Sequence, residues 1–175
     1  ISTMESCTGG GVANAITSIE GASEILKFSA VTYSNEFKIK MGVSEEVIEK
    51  YSVYSQETAD EMSKNISHFT NSDYGVGITG KLNRVDINNP YGEDNVVFIS
   101  IYDKENDSYI KTKVEATASS RADNKLLVID KIKELLSDNR IIKNKLKIEA
   151  TINNAKVFKN IQNEYQTFSN YIWSF

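Results

Sequence analysis

The spacing of apolar and polar positions changes several times along this chain, and each change marks an element. Residues 1–4 read as a short strand that leads into ESCTGGG at 5–11, after which 12–19 has the character of a helix. Residues 28–34 (FSAVTYS) are β-rich and predict a second strand, with Ser34 or Asn35 capping a helix that Gly42 ends. A short helix is expected over 44–51. Ser55 then caps a longer one whose apolar face carries Thr58, Ala59, Met62, Ile66 and Phe69. YGVGIT at 74–79 reads as a buried strand, and 80–94 as a polar loop holding the sole proline, Pro90. Runs at 95–102 and 108–116 predict two strands joined by a hairpin turn at 104–107. Residues 121–136 read as a helix with Leu126, Ile129, Ile132 and Leu136 on one face. Beyond it, Leu146, Ile148, Ala150 and Ile152 alternate as in a strand. Phe158, Ile161, Tyr165, Phe168 and Ile172 step as in an amphipathic helix. Strands alternate with helices and one hairpin interrupts them, which predicts an α/β sandwich with a mixed sheet.

Composition narrows the chemistry. The chain has 175 residues, 40% hydrophobic and 25% charged, enough for one domain with a sizeable core. Its net charge of -4 gives no general attraction for nucleic acid or anionic membranes. One cysteine, Cys7, excludes an intrachain disulfide. One histidine, His68, argues against a His-built metal site and a Ser-His-Asp triad, and its polar setting predicts a surface position. No apolar run approaches the roughly 20 residues that span a bilayer. These features predict a cytoplasmic protein. Ile1 opens directly into a strand-like run, the pattern expected of a chain missing a natural N-terminal segment.

Three places can carry chemistry. Ser6 lies at a strand end before a glycine-rich helix start, where backbone N–H groups can stabilise an alkoxide or oxyanion. Gly9, Gly10 and Gly11 allow a substrate close to the backbone. Taken alone, Ser6 or Thr8 reads better as a simple N-cap, because such turns are common. Lys38, in YSNEFK at 33–38, falls in the first turn of a predicted helix, whose dipole lowers its pKa. Service as a base near pH 7–8 needs a drop of roughly 3 units, or about 4 kcal/mol. The dipole supplies at most about 2 kcal/mol, so burial and a second positive charge have to supply the rest. Tyr33 is placed to relay or orient the proton. By spacing alone, a solvated lysine and a packed tyrosine are the better reading. Arg121 opens the helix after a strand, a place suited to gripping phosphate or carboxylate, and Lys125 follows one turn on.

In combination these segments resemble a known family. ESCTGG, then VTYSNEFK, then YGVGITG, then an arginine opening the last helix, is the ordered pattern of the CinA C-terminal domain, over roughly residues 1–138. That family includes nicotinamide mononucleotide deamidases. The resemblance implies a three-layer α/β/α sandwich. It also implies hydrolysis of the carboxamide to nicotinate mononucleotide and ammonia, without metal or cofactor. It places the nucleophile on Ser6, the general base on Lys38 and the associated tyrosine on Tyr33. Substrate contacts fall on Thr8, Gly9, Gly10, Thr79 and Arg121. The loop after Gly80 departs from the family pattern, reading KLNRVDINNPYG at 81–92, and Ser119-Ser120 replaces the usual Gly-Asp. A second reading is therefore a catalytically impaired nucleotide-binding or interaction module. Retention of both Ser6 and Lys38 speaks against it. The expected partner is a small nucleotide substrate, with neither nucleic acid nor membrane. Residues 139–175 are expected as an extension packed on the domain or at a homo-oligomer interface, with preference for the interface.

Overall fold

The computed structural model describes residues 1–83, 86–87, 89–137 and residue 164. The chain divides into two compact units, Ile1–Lys133 and Glu134–Phe175. The strand-like and helix-like runs expected after residue 139 lie outside the described residues, Glu164 excepted. The first unit opens with β1 (Ser2–Glu5), α1 (Gly11–Thr17), a short α2 (Ala22–Ile25) that the pattern did not suggest, and β2 (Phe28–Val31). It continues through α3 (Asn35–Lys40), α4 (Glu45–Tyr51), α5 (Gln56–Thr70), β3 (Tyr74–Gly80), β4 (Val96–Asp103) and β5 (Ser108–Glu115). α6 (Arg121–Leu136) begins within it.

The five strands form one mixed sheet in the order β2-β1-β3-β4-β5. β1 runs parallel to β2 and β3, while β4 and β5 complete it antiparallel. Helices lie on both faces. Met4 points to the α5 side, where it clusters with Val43, Met62 and Ile66. Its neighbour Glu5 points the other way, to the start of α1, as strand alternation requires. α6 lies beside α1 on that second side, with Ile129 against Gly11. This is the α/β sandwich with a mixed sheet that the alternation of elements predicts.

The seam between β3 and α5 is unusually close. Gly75 and Gly77 are paired with Ser2 and Met4 of β1 and face α5. A Cβ on either would overlap the backbone carbonyl of Ser63 or Ala59. Only hydrogen fits there, so helix and strand meet backbone to backbone.

Caps behave as the sequence suggests. The Ser34 hydroxyl accepts from the Phe37 N–H at 3.3 Å, and that of Ser55 from the Thr58 N–H at 3.1 Å. Two positions expected in the core are not buried. Phe69 is 68% exposed and pairs with Phe28 at the sheet edge, ring centroids 5.9 Å apart. Leu126 is 56% exposed, and the buried face of α6 carries Asn124, Val128, Ile129 and Ile132 instead. Asn124 sets that rotation. Its side chain accepts from the Ala118 N–H at 2.8 Å and donates to the Ala118 carbonyl at 2.9 Å, pinning the chain as it enters the helix.

Candidate active site

Ser6 directly follows β1, its N–H still bonded to the Ile78 carbonyl of β3 at 3.0 Å. Lys38 comes from α3, the helix that returns after β2. The two meet: Lys38 Nζ lies 3.0 Å from Ser6 Oγ, with both residues buried. Lys38 Nζ also donates to the Thr32 carbonyl at 2.7 Å and approaches the Tyr33 carbonyl at 3.5 Å. Carbonyls only accept. Two N–H bonds are therefore drawn toward the backbone, and the remaining tetrahedral position of the amine faces Ser6. In the neutral amine that position is the lone pair.

Burial pushes the Lys38 pKa down from 10.5 to about 8. A place in the first turn of a helix would have given part of this to the dipole, with burial and a second cation supplying the rest. The structure keeps the burial and corrects the rest: α3 is six residues long, Lys38 sits in its last turn, and desolvation of a side chain 1% exposed is the leading cause.

The turn after Ser6 is organised by an acid that the motif alone does not single out. Glu5 is fully buried. Its carboxylate accepts from the Thr8 hydroxyl at 2.7 Å and from the N–H groups of Gly10, Val12 and Ala13 at 3.0, 3.1 and 2.9 Å. It thus takes up amide donors that the start of α1 would otherwise leave open. Gly9 and Gly10 make the bend with φ of 62° and 90°. The Gly9 N–H bonds to the Ser6 carbonyl and that of Gly11 to the Thr8 carbonyl. The glycine amides are thus occupied and not free to hold an oxyanion. Among the described residues, the Cys7 and Thr8 N–H groups are the ones in this turn without an acceptor on another residue. Burial pushes the Cys7 thiol up to about 12, so it is no competing nucleophile near neutral pH.

Ser6 and Lys38 open into a cavity of about 590 Å³, walled also by Tyr33, Tyr54, Lys81, Asp86 and Arg121. The remaining candidates take roles different from those expected. The Tyr33 phenol is exposed and accepts from Arg121 at 3.3 Å; only the Tyr33 backbone approaches Lys38, so the ring is no proton relay to it. Arg121 also donates to the Leu82 carbonyl at 2.9 Å, tying α6 to the loop after β3. Thr79 is buried with its hydroxyl on the Val53 carbonyl at 2.8 Å, and Thr8 is bound to Glu5. Neither lines the cavity. His68 lies exposed on α5, edge-on to Tyr102 and away from the site.

The loop wall was not legible from local spacing. Lys81 is 3% exposed and donates to the Pro90 and Gly92 carbonyls at 3.3 and 3.2 Å and to Asp94 at 2.9 Å, gathering the loop around itself. Asp86 accepts from the Tyr54 phenol and from Asn89, whose carbonyl oxygen accepts from Asn35 of α3. Among the described residues no three His, Cys, Asp or Glu side chains gather as metal ligands, and no helix is long and apolar enough to cross a membrane.

Comparison with known proteins supports the same region. The family model described as CinA C-terminal domain matches residues 1–138. A CinA-like protein of Endomicrobium trichonymphae is 47% identical over 81 residues, 46% of this chain and 19% of that protein. The chain thus spans about a fifth of the length of such curated relatives. The crystal structure of the competence/damage inducible protein CihA from Agrobacterium tumefaciens is 27% identical with a TM-score of 0.69, covering 77% of this chain and 81% of that one. The competence damage-inducible protein A structure from Klebsiella pneumoniae, at 19% identity and a TM-score of 0.72, covers 81% of this chain and 86% of that one and shares the fold. A second family model, methyladenine glycosylase, matches residues 125–175.

Proposed function

The chain belongs to the CinA C-terminal domain family, and we propose that its first unit is a serine amidase that converts nicotinamide mononucleotide to nicotinate mononucleotide and ammonia. The observation that carries this is the Lys38–Ser6 contact of 3.0 Å, with the lysine buried and its pKa lowered to about 8. A binding module has no need of a buried amine aimed at a serine hydroxyl.

The chemistry follows from the atoms at hand. Neutral Lys38 takes the Ser6 proton as Oγ attacks the carboxamide carbon. The carbonyl oxygen becomes an oxyanion, for which the open Cys7 and Thr8 N–H groups are the donors. The resulting lysine ammonium returns its proton to the nitrogen, the C–N bond breaks and ammonia departs. Water, deprotonated by the same amine, then cleaves the Ser6 ester to release the carboxylate. Arg121 holds Tyr33 and the 80s loop in place as the walls of the site.

The test is ammonia release from nicotinamide mononucleotide by the full chain, wild type against Ser6→Ala. Loss of covalent catalysis should remove nearly all turnover while the circular dichroism spectrum stays the same. Ser6→Ala turning over near the wild-type rate, or a wild type that releases no ammonia, would sink the proposal.

The match of residues 125–175 to the methyladenine glycosylase model favours a separate reading of the tail. We propose that residues 139–175 are a segment of that type following the amidase domain, in place of the oligomer contact expected from their apolar faces.

A further inference from the structure

We propose that Thr8 is a positioning residue of the amidase site: its hydroxyl, bonded to the buried carboxylate of Glu5, fixes the direction of its own backbone N–H as an oxyanion donor. This rests on the amidase reading above and replaces the substrate contact that the resemblance places on Thr8.

The donors of the site belong to a soft segment. Gly9, Gly10 and Gly11 follow Thr8 directly, and the first two lie at φ of 62° and 90°. Glycine moves between backbone regions at little steric cost, so such a turn does not hold the peptide before it. An oxyanion donor lowers the barrier only if it already points at the place where charge develops. The fixed point has to come from outside the glycines.

Glu5 supplies it. It ends β1 between two neighbouring strands, paired with Val31 of β2 and Ile78 of β3, and is fully buried. Its carboxylate takes the N–H groups of Gly10, Val12 and Ala13 on the far side of the turn. On the near side it takes the Thr8 hydroxyl at 2.7 Å. Among the described residues, that hydroxyl is the one bond from residues 6–9 to the Glu5 side chain. Thr8 is 2% exposed and does not line the cavity, so its side chain acts through the backbone and not on the substrate.

The same residue leads to the base by another route. The Glu5 carbonyl accepts from the Thr32 N–H at 2.8 Å, and the Thr32 carbonyl accepts from Lys38 Nζ at 2.7 Å. The backbone of Glu5 thus orients the amine, and its side chain orients the turn. A change confined to the Thr8 side chain breaks the second route and leaves the first intact. It should weaken the hold on the oxyanion without altering the group that takes the proton.

The experiment measures ammonia release from nicotinamide mononucleotide by the full chain, for wild type, Thr8→Val and Thr8→Ser. Valine keeps the branched shape and lacks the hydroxyl, whereas serine keeps the hydroxyl. Thr8→Val should lower kcat by about ten- to a hundredfold, short of the roughly hundred- to thousandfold lost when an oxyanion donor is removed outright. KM and the pH profile should stay as in the wild type, and Thr8→Ser should restore most of kcat. If Thr8→Val does not fold, Thr8→Ala serves in its place. An unchanged kcat in the variant without the hydroxyl overturns the proposal, and so do equal losses with valine and serine. A loss that falls wholly on KM also overturns it, because Thr8 would then be a substrate contact. Labelling of Ser6 by a fluorophosphonate, followed by mass spectrometry, separates this from the amidase reading. There the Ser6 Oγ–P bond forms, the P–F bond breaks, fluoride leaves and the serine proton passes to Lys38, with the phosphoryl oxygen in the oxyanion position. Labelling that slows in Thr8→Val and recovers in Thr8→Ser supports the proposal even where the wild type releases no ammonia. Equal labelling rates in wild type and Thr8→Val, or a wild type that is not labelled, refute it.

Discussion

Lys38→Met should abolish the proposed amidase activity and, near neutral pH, make the protein more stable. Methionine nearly matches the lysine stem in volume and removes the charge. The lysine pKa is lowered from 10.5 to about 8, so keeping the ammonium in its buried position at pH 7 costs about 3 kcal/mol relative to the unfolded chain. Against this, the variant loses the donors to Ser6 Oγ and the Thr32 carbonyl, each contributing about 1 kcal/mol net. The variant should therefore be the more stable at pH 7 by about 1 kcal/mol. The difference then reverses. Between pH 8 and 10.5 the unfolded wild type holds a proton on Lys38 that the folded protein does not. Wild-type stability accordingly rises with pH through that window, relative to the variant, and levels off above it. Above pH 10.5 both states are neutral, the hydrogen bonds alone remain, and the wild type should be the more stable by about 2 kcal/mol. Urea unfolding followed by far-ultraviolet circular dichroism at half-unit steps from about pH 7 to 11 measures both curves. Parallel curves, with no relative gain by the wild type between pH 8 and 10.5, would show that Lys38 is not held neutral by burial and would refute the reasoning.

Three further outcomes are expected. The kcat/KM for the amide should rise about tenfold per pH unit below 8 and flatten above it, and Lys38→Arg should be as inactive as Lys38→Ala because a guanidinium cannot give up its proton there; a flat profile from about pH 6 to 9 would exclude Lys38 as the base. Glu5→Gln sets an amide N–H2 against a ring of donors in a fully buried place and should lower stability by about 3 kcal/mol or more, roughly 6–12 °C in Tm; a melt within about one degree of wild type would contradict the role given to Glu5. Removing residues 139–175 should leave ammonia release and the subunit count by light scattering unchanged, whereas a drop in mass would restore the tail as a subunit contact.

The sequence was most legible where structure is carried by neighbours in the chain. The serine–glycine turn, the capped helix bearing Lys38 and the β4–β5 hairpin each show themselves in a short stretch of residues. It was least legible where a side chain is defined by a partner far away. Thr79 looks like a substrate contact until Val53, 26 residues upstream, takes its hydroxyl. Glu5 does not stand out in its motif until the helix start folds back onto it. Leu126 satisfies a three-and-four spacing but lies on the outer side, because buried Asn124 fixes how α6 is turned. For Lys38 the expected lowering combined the helix dipole, burial and a second cation, and burial is the one that leads. Spacing shows the dipole, but how deeply the side chain is buried depends on packing that spacing does not show.

The seam between β3 and α5 has a consequence for how this protein can change over time. A side-chain contact can drift by exchange, one partner growing while the other shrinks. At Gly75 and Gly77 the partners are the carbonyls of Ser63 and Ala59, and a backbone cannot be made smaller. No single replacement elsewhere rescues a Cβ there, so compensation is closed off on both sides. A saturation library should tolerate almost nothing at those two glycines. It should tolerate a great deal in the loop just after β3, which is anchored by a few long side chains and can be rebuilt around them. Variation is thereby funnelled from the frame into the wall of the cavity.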